Sequence, residues 1–317
     1  MKKLPVIDIA PLYDVNHPDY ADICNQIDQA CREWGFFYIS GYKPNHLAEV
    51  QSLAKEFFSK PLLEKLEIDI QKHKASHRGY GALGVEQLNP DLPNDFKEVY
   101  DMGVHLEADH PDVINKEPLR GPNVYPNIED WKTVMDGYFE EMLDLGKVLL
   151  NAMSHAIGLP QNYFDYCLQE SLCALRLIHY PPALDNTQSE SFNAGAHTDY
   201  GCVTILAQDD VGGLQVQDVN GNWIDAPPIP DTYVINIGDM MARWSNDIYK
   251  STPHRVSSPK GKQRFSFPFF IQPSPKTVIR CLPNCYSESN PPKYSPITSM
   301  EYLQSRFDAT YKHRADV

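Results

Sequence analysis

The 317-residue chain has no basic cluster: 28 Lys and Arg stand against 42 Asp and Glu, a net charge of −14. Such a surface repels DNA, RNA and anionic membranes. Cysteine is sparse. There are seven, an odd number, with no Cys-x-x-Cys pair; Cys281 and Cys285 form only a Cys-x-x-x-Cys. That argues against a zinc ribbon and a disulfide framework, and points to reduced thiols in the cytoplasm. No apolar run approaches the length of a transmembrane helix. The opening Met1-Lys2-Lys3-Leu4-Pro5-Val6-Ile7-Asp8 is too short and too broken for a signal peptide. Internal repeats and low-complexity segments are also missing. The expectation is a cytoplasmic protein without nucleic-acid or membrane partners, monomeric or weakly dimeric.

What is present falls into two halves. In the first, Val6 to Ile9 and Phe36 to Ile39 read as short strands. Ile23, Ile27, Cys31 and Trp34 recur at helical spacing before Gly35, and Leu47 to Phe58 forms a second helical stripe. Residues 66–128 are turn-rich and poorly periodic. From Trp131 a long amphipathic helix is expected to run to Ile157 and stop at Gly158. In the second half short strands follow one another: Ala174 to Tyr180, Val203 to Ala207, Leu214 to Gln217, Trp223 to Ile224, Tyr233 to Ile237, Phe265 to Ile271 and Thr277 to Arg280. Asn220-Gly221 marks a hairpin, and Thr298-Ser299-Met300-Glu301 has the spacing of a capping box. Helices first and antiparallel strands second predict an α+β chain: a double-stranded β-helix, or jelly roll, buttressed by helices that include one long helix. Residues 1–120 form an N-terminal helix and strand region. Residues 121–317 carry the long helix, the jelly roll and a closing helix, with no linker between the regions.

His-x-Asp occurs three times: His17-Pro18-Asp19, His110-Pro111-Asp112 and His197-Thr198-Asp199. Only the third leads into a convincing strand, and on an extended backbone residues i and i+2 point the same way. An isolated His-x-Asp is ordinarily a surface pair, so a third ligand is needed. His254 is the candidate; His155 and His179 compete. Two imidazoles and one carboxylate can take one face of Fe(II) and leave the other open. Arg-x-Ser also occurs three times, and only Arg264-Phe265-Ser266 heads a long apolar strand. Parity puts Arg264, Ser266, Pro268 and Phe270 on one face, where a guanidinium can pair with a carboxylate. Pro268 argues against a central, fully paired strand.

These residues, in this order, resemble the isopenicillin N synthase-like group of the iron(II)/2-oxoglutarate-dependent oxygenases. That group carries His-x-Asp, a second His before Arg, and Arg-x-Ser ten residues after that His, as His254 and Arg264 stand here. The resemblance extends over nearly the whole chain, through Leu4 to Asp8, Trp34 to Phe37, Lys97 to Tyr100, Gly212 to Val216 and Tyr233 to Asp239. It implies Fe(II) on His197, Asp199 and His254. It implies 2-oxoglutarate chelating the metal, with its far carboxylate on Arg264 and Ser266 beside Tyr180. It implies oxidation of a small molecule by O2 as 2-oxoglutarate becomes succinate and CO2. One departure stands out: plant members often have Asn where this chain has Ile178, which donates no hydrogen bond.

The same resemblance implies a substrate pocket at Arg78, Tyr80, Thr204, Leu206, Val256 and Phe270. By parity Thr204 and Leu206 lie opposite to Asp199, so a bulge after Asp199 is expected. Two alternatives stay open. Some members of the group carry Arg-x-Ser yet consume no 2-oxoglutarate, as in isopenicillin N synthase and the plant ethylene-forming oxidase. A non-catalytic jelly-roll binding protein or zinc-bound structural domain is the other.

Overall fold

The computed structural model describes residues 3–85, 95–182, 194–257 and 261–310. In chain order the strands are β1 (Val6–Asp8), β2 (Phe36–Ser40), β3 (Gly79–Gly81), β4 (Glu98–Gly103), β5 (Ala174–Tyr180), β6 (Ala194–His197), β7 (Val203–Gln208), β8 (Leu214–Gln217), β9 (Trp223–Asp225), β10 (Tyr233–Ile237), β11 (His254–Val256), β12 (Arg264–Ile271), β13 (Val278–Ile279) and β14 (Ile297–Thr298), the last two paired only with each other. Eight form a major sheet in the order β1-β2-β10-β7-β12-β5-β4-β3, and four form a minor sheet, β6-β11-β8-β9. This is the expected jelly roll, with strands of the N-terminal region extending the major sheet at both edges.

Period-2 alternation sorts the major sheet into two faces. Phe265, Phe267, Phe269 and Ile271 of β12, Val203, Ile205 and Ala207 of β7, and Leu175 and Leu177 of β5 belong to one core. That core is closed by the helices Tyr20–Glu33 and Trp131–Ala156, the latter the long helix of 26 residues. The opposite face meets the minor sheet around a smaller core that includes Phe36, Ile178, Tyr180, Leu214 and Val256. The capping box forms as expected: Glu301 accepts from Thr298 N and Oγ1, and Glu301 N donates to Thr298 Oγ1, at the start of the helix Ser299–Thr310.

Two expectations need correcting. The turn-rich stretch hides β3, which is only three residues long, and β4, which buries Glu98 and Asp101 on its two faces. The strand holding Pro268 is central, between β7 and β5. Its register with β7 is unbroken from Ser266 to Ile271, whereas the register with β5 runs from Arg264 to Ser266 and resumes at Phe269. The sheet absorbs the missing N–H by a gap on one side only.

A buried ionic network ties the N-terminal region to the sheet. Glu98 accepts from Lys65 Nζ at 2.7 Å and Tyr80 Oη at 2.5 Å, and pairs with His179 Nδ1 at 2.8 Å. Burial pushes the Glu98 pKa up, but the donors His179, Lys65 and Tyr80 outweigh it and hold it below the usual carboxylate range. A depressed folded-state pKa stabilises the fold above the ordinary Glu value of about 4.3 and ceases to do so as pH falls through the lowered value. Glu98→Gln strands the buried Lys65 ammonium and should cost about 3 kcal/mol at neutral pH in urea unfolding. The difference from wild type should shrink as the pH is taken below about 4; a pH-independent difference would refute the charged network.

Candidate active site

The minor sheet brings the two imidazoles together. His254 of β11 lies opposite His197 of β6 in antiparallel register, with ring centroids 4.3 Å apart. Each ring is oriented through Nδ1, which contacts a carbonyl: Gly195 O at 2.7 Å for His197 and Thr252 O at 3.3 Å for His254. A carbonyl only accepts, so each Nδ1 carries the proton and each Nε2 presents its lone pair. The edge of Phe36 packs on the His254 ring.

Asp199 does not sit on a strand. It lies in the turn that carries the chain from β6 in the minor sheet to β7 in the major one. The expected bulge is therefore a change of sheet, and parity starts afresh at β7. Asp199 Oδ1 lies 3.9 Å from His197 Nε2 and 3.8 Å from His254 Nε2, while Oδ2 accepts from Thr204 Oγ1 at 2.5 Å and Asn236 Nδ2 at 2.8 Å. Burial works against the Asp199 charge, yet the facing imidazoles and these two donors lower its pKa. Burial and the neighbouring His254 lower that of His197. One ligand atom from each of the three residues can be chosen with all three within 4.8 Å of one another, the one such group of His, Cys, Asp and Glu among the described residues. Two neutral nitrogens and a carboxylate oxygen suit Fe(II).

The other His-x-Asp pairs serve elsewhere. His17 and Asp19 are on the surface, and His110 caps a short helix through Asp112 N. His179 faces the helical side, stacked on Phe265. The other Arg-x-Ser arginines stack on aromatic rings, Arg243 on Tyr294 and Arg255 on Trp223.

The ligand set opens into a cavity of ≈ 190 Å³ between the sheets. Arg264, Ser266, Pro268 and Phe270 line it together, as strand parity requires. Arg264 is 1 % exposed. Its Nη1 donates to Ser266 Oγ at 3.1 Å and its Nη2 to Gln208 Oε1 at 3.3 Å, while its buried Nε has no partner. The guanidinium carbon lies 5.0 Å from the Tyr180 ring centroid. No ion pair joins Arg264 to a carboxylate among the described residues. A buried cation of this kind calls for an anion. Ser266 accepts from Arg264, so its own proton is available to the same anion. Ile178, in register with Ser266, makes the adjoining wall apolar.

Of the expected pocket residues, Arg78, Thr204, Leu206, Val256 and Phe270 line the cavity. Tyr80 does not. It is 1 % exposed in the helical core and donates to Glu98. The cause is Gly79, at φ +105°, where a Cβ would come within 2.2 Å of Ile68 O. This glycine-only turn breaks the alternation and sends Arg78 and Tyr80 to opposite faces. Thr204 lines the wall, but its hydroxyl is committed to Asp199. Sequence reasoning missed Asn236, Gln208 and the cavity residues Lys97, Asp101 and Arg176. The signal for Asn236 was available: it is the single polar residue in the buried strand Tyr233–Ile237.

Comparison with known proteins agrees with this geometry. Residues 171–273 match the 2OG-Fe(II) oxygenase superfamily, and residues 4–128 match the N-terminal region described as non-haem dioxygenase in morphine synthesis. A 2-oxoglutarate-Fe(II) type oxidoreductase of Emericella nidulans is 35% identical, over 97% of this chain and 90% of the relative. A homoarginine-6-hydroxylase of Arabidopsis thaliana is 36% identical, over 90% and 89%. A full-length Neurospora crassa protein solved with alpha-KG, which is 2-oxoglutarate, superposes with a TM-score of 0.86 at 33% identity, over 97% of this chain and 96% of that one. The same protein has been solved with alpha-KG and thymine together. The chain belongs to the 2-oxoglutarate/Fe(II) oxygenase superfamily. It is a non-haem Fe(II)- and 2-oxoglutarate-dependent dioxygenase that oxidises a small molecule with O2, releasing succinate and CO2.

Proposed function

We propose that His197, Asp199 and His254 hold the iron and that Arg264 and Ser266, beside Tyr180, hold the far carboxylate of 2-oxoglutarate. The observation that carries this reading is the sharing of one cavity by three converging ligand atoms and a buried, unpaired guanidinium. When bound, the metal supplies activation of O2 coupled to oxidative decarboxylation of the cosubstrate. The chain's residues do the rest. Arg264 and Ser266 fix the cosubstrate's far end by charge-assisted hydrogen bonds. Ile178, Leu206, Val256 and Phe270 exclude water from the reacting region.

Arg78, Leu206, Val256 and Phe270 then form the substrate's share of the cavity, with Arg78 selecting an anionic group. Arg78 Nη1 donates to Ser76 O and His77 O, and Nη2 to Leu119 O, but its buried Nε has no partner. Burial lowers its pKa to about 10, against the pull of Asp101, so it remains a cation at neutral pH. Two buried guanidiniums face one cavity and the cosubstrate satisfies one. Gly103 makes the room: a Cβ there would stand 2.1 Å from Arg78 Nη2.

Regions 1–120 and 121–317 act as one unit, because β2 and β4 are hydrogen-bonded to strands of the second region. All seven cysteines are unpaired, which supports a reducing cytoplasm. No helix among the described residues is long and apolar enough to cross a membrane. The acidity supports a monomer or weak homodimer without nucleic-acid partners.

Anaerobic Fe(II) and 2-oxoglutarate should give a visible charge-transfer band, and turnover should release one succinate per substrate oxidised. His254→Ala should lose the band and turnover; wild-type activity in that variant would sink the ligand assignment. Arg264→Ala should raise the 2-oxoglutarate KM roughly 100-fold, for about 2–3 kcal/mol of lost charge-assisted bonding, with iron affinity unchanged.

Substrate charge is tested by oxygen uptake with homoarginine, which carries a carboxylate, its carboxamide, and neutral thymine. The carboxylate should be favoured over the carboxamide about 100-fold, again for about 2–3 kcal/mol. Arg78→Gln and Gly103→Val, which crowds Arg78 out, should both erase the preference. Efficient turnover of thymine alone, indifferent to Arg78→Gln, would refute an anion-selecting Arg78.

A further inference from the structure

We infer that Thr204 and Asn236 are positioning residues that restrict Asp199 to a single metal-binding oxygen, an inference that rests on the iron assignment above. Asp199 is the ligand with no strand to hold it. A carboxylate in a turn can rotate and offer either oxygen or both. Here the rotation is blocked from one side. Thr204 of β7 and Asn236 of β10 are direct cross-strand partners, both buried, at 4 % and 2 % exposure, and both on the cavity face. Their side chains converge on the same atom, Asp199 Oδ2, and leave Oδ1 toward the two Nε2 atoms. The turn backbone is pinned as well, by Asp239 N donating to Asp199 O at 2.7 Å.

Packing does not explain these two residues. The cavity-face neighbours along the same strands are Leu206 and Val234, both apolar. A buried amide or hydroxyl on such a face is unfavourable without a partner, and the partner each has is the metal-facing carboxylate. A carboxylate that gives one oxygen takes one coordination position. With three protein positions filled in this way, the open face remains for small molecules. Removing the donors frees Asp199 to turn away or to give both oxygens, and either change disturbs the metal before any substrate is present.

The test is anaerobic titration of the metal-free protein with Co(II), read by calorimetry and by visible absorption of the bound ion. Residues that orient a ligand typically change metal affinity or activity by about 10–100-fold when replaced. Thr204→Val and Asn236→Ala should each weaken Co(II) binding about tenfold and alter the intensity of the Co(II) bands. Thr204→Ser, which keeps the hydroxyl, should restore both. Thermal unfolding of each metal-free variant reports whether the fold survives; should Asn236→Ala fail to fold, the near-isosteric Thr204→Val with its serine rescue decides. Co(II) affinity within twofold of wild type and unchanged bands in Thr204→Val would overturn the inference. His254→Ala separates the two levels. If it too binds Co(II) like wild type, the iron assignment has failed; if it does not while Thr204→Val does, only the positioning role has.

Discussion

The site depends on one cross-strand pair. His197 and His254 are far apart in the chain, and their imidazoles meet because β6 and β11 place them directly opposite each other. A slip of one residue in that register would turn one imidazole to the other face of the minor sheet. The remaining features serve this pair. The chain leaves β6 immediately after His197, so Asp199 swings across the gap between the sheets toward both rings. The same change of sheet delivers β7, which carries Thr204 to the carboxylate. The ligand geometry and the jelly-roll topology are thus one constraint: two sheets joined by a turn whose apex is a ligand.

The cavity face of the major sheet carries a second constraint, the burial of charge. Arg264 and Arg78 are both enclosed by protein, and each retains an unpaired Nε. For a protein that binds nothing this would be a costly arrangement. For an enzyme with an anionic cosubstrate it stores recognition in the unliganded fold. The opposite face of β7 and β12 is apolar and packs on the long helix. Arg264 and Ser266 stay on the cavity side of β12, even though its pairing with β5 is interrupted at Pro268.

Much of this was legible in the sequence, for an identifiable reason. Strands such as Ala174–Tyr180 and Tyr233–Ile237 alternate clearly or are continuously apolar, and their ends coincide with the expected ones. The candidate metal residues stand out from repeated short motifs by strand context, spacing and the family resemblance together. What was hidden depends on contacts between distant segments. β4 carries Glu98 and Asp101 as well as apolar residues, and partners from distant segments, among them Lys65, Tyr80, His179 and Arg176, make those charges tolerable inside a sheet. Tyr80 was misplaced because the resemblance offered Arg78 and Tyr80 together, and the backbone at Gly79 sends the two side chains to opposite faces. Thr204 lines the cavity, but its hydroxyl bonds Asp199, and nothing local reveals that Asp199 curls back to it.

The N-terminal region also reaches the candidate metal ligands. Thr252, whose carbonyl orients His254, donates its own hydroxyl to Trp34 O at 2.6 Å, and Phe36 covers the His254 ring. On the other side Asp95, paired with Lys97 at 3.0 Å, accepts from Gly195 N, and Gly195 O orients His197. Each imidazole is therefore aimed through a short chain of hydrogen bonds that begins outside the jelly-roll strands. Lys97 lines the cavity, so one of these chains starts at the cavity wall. Truncating the chain before the long helix would leave the strands that carry the ligands but remove the contacts that aim them. The two regions are thus joined beside the imidazoles by hydrogen bonds as well as through the major sheet.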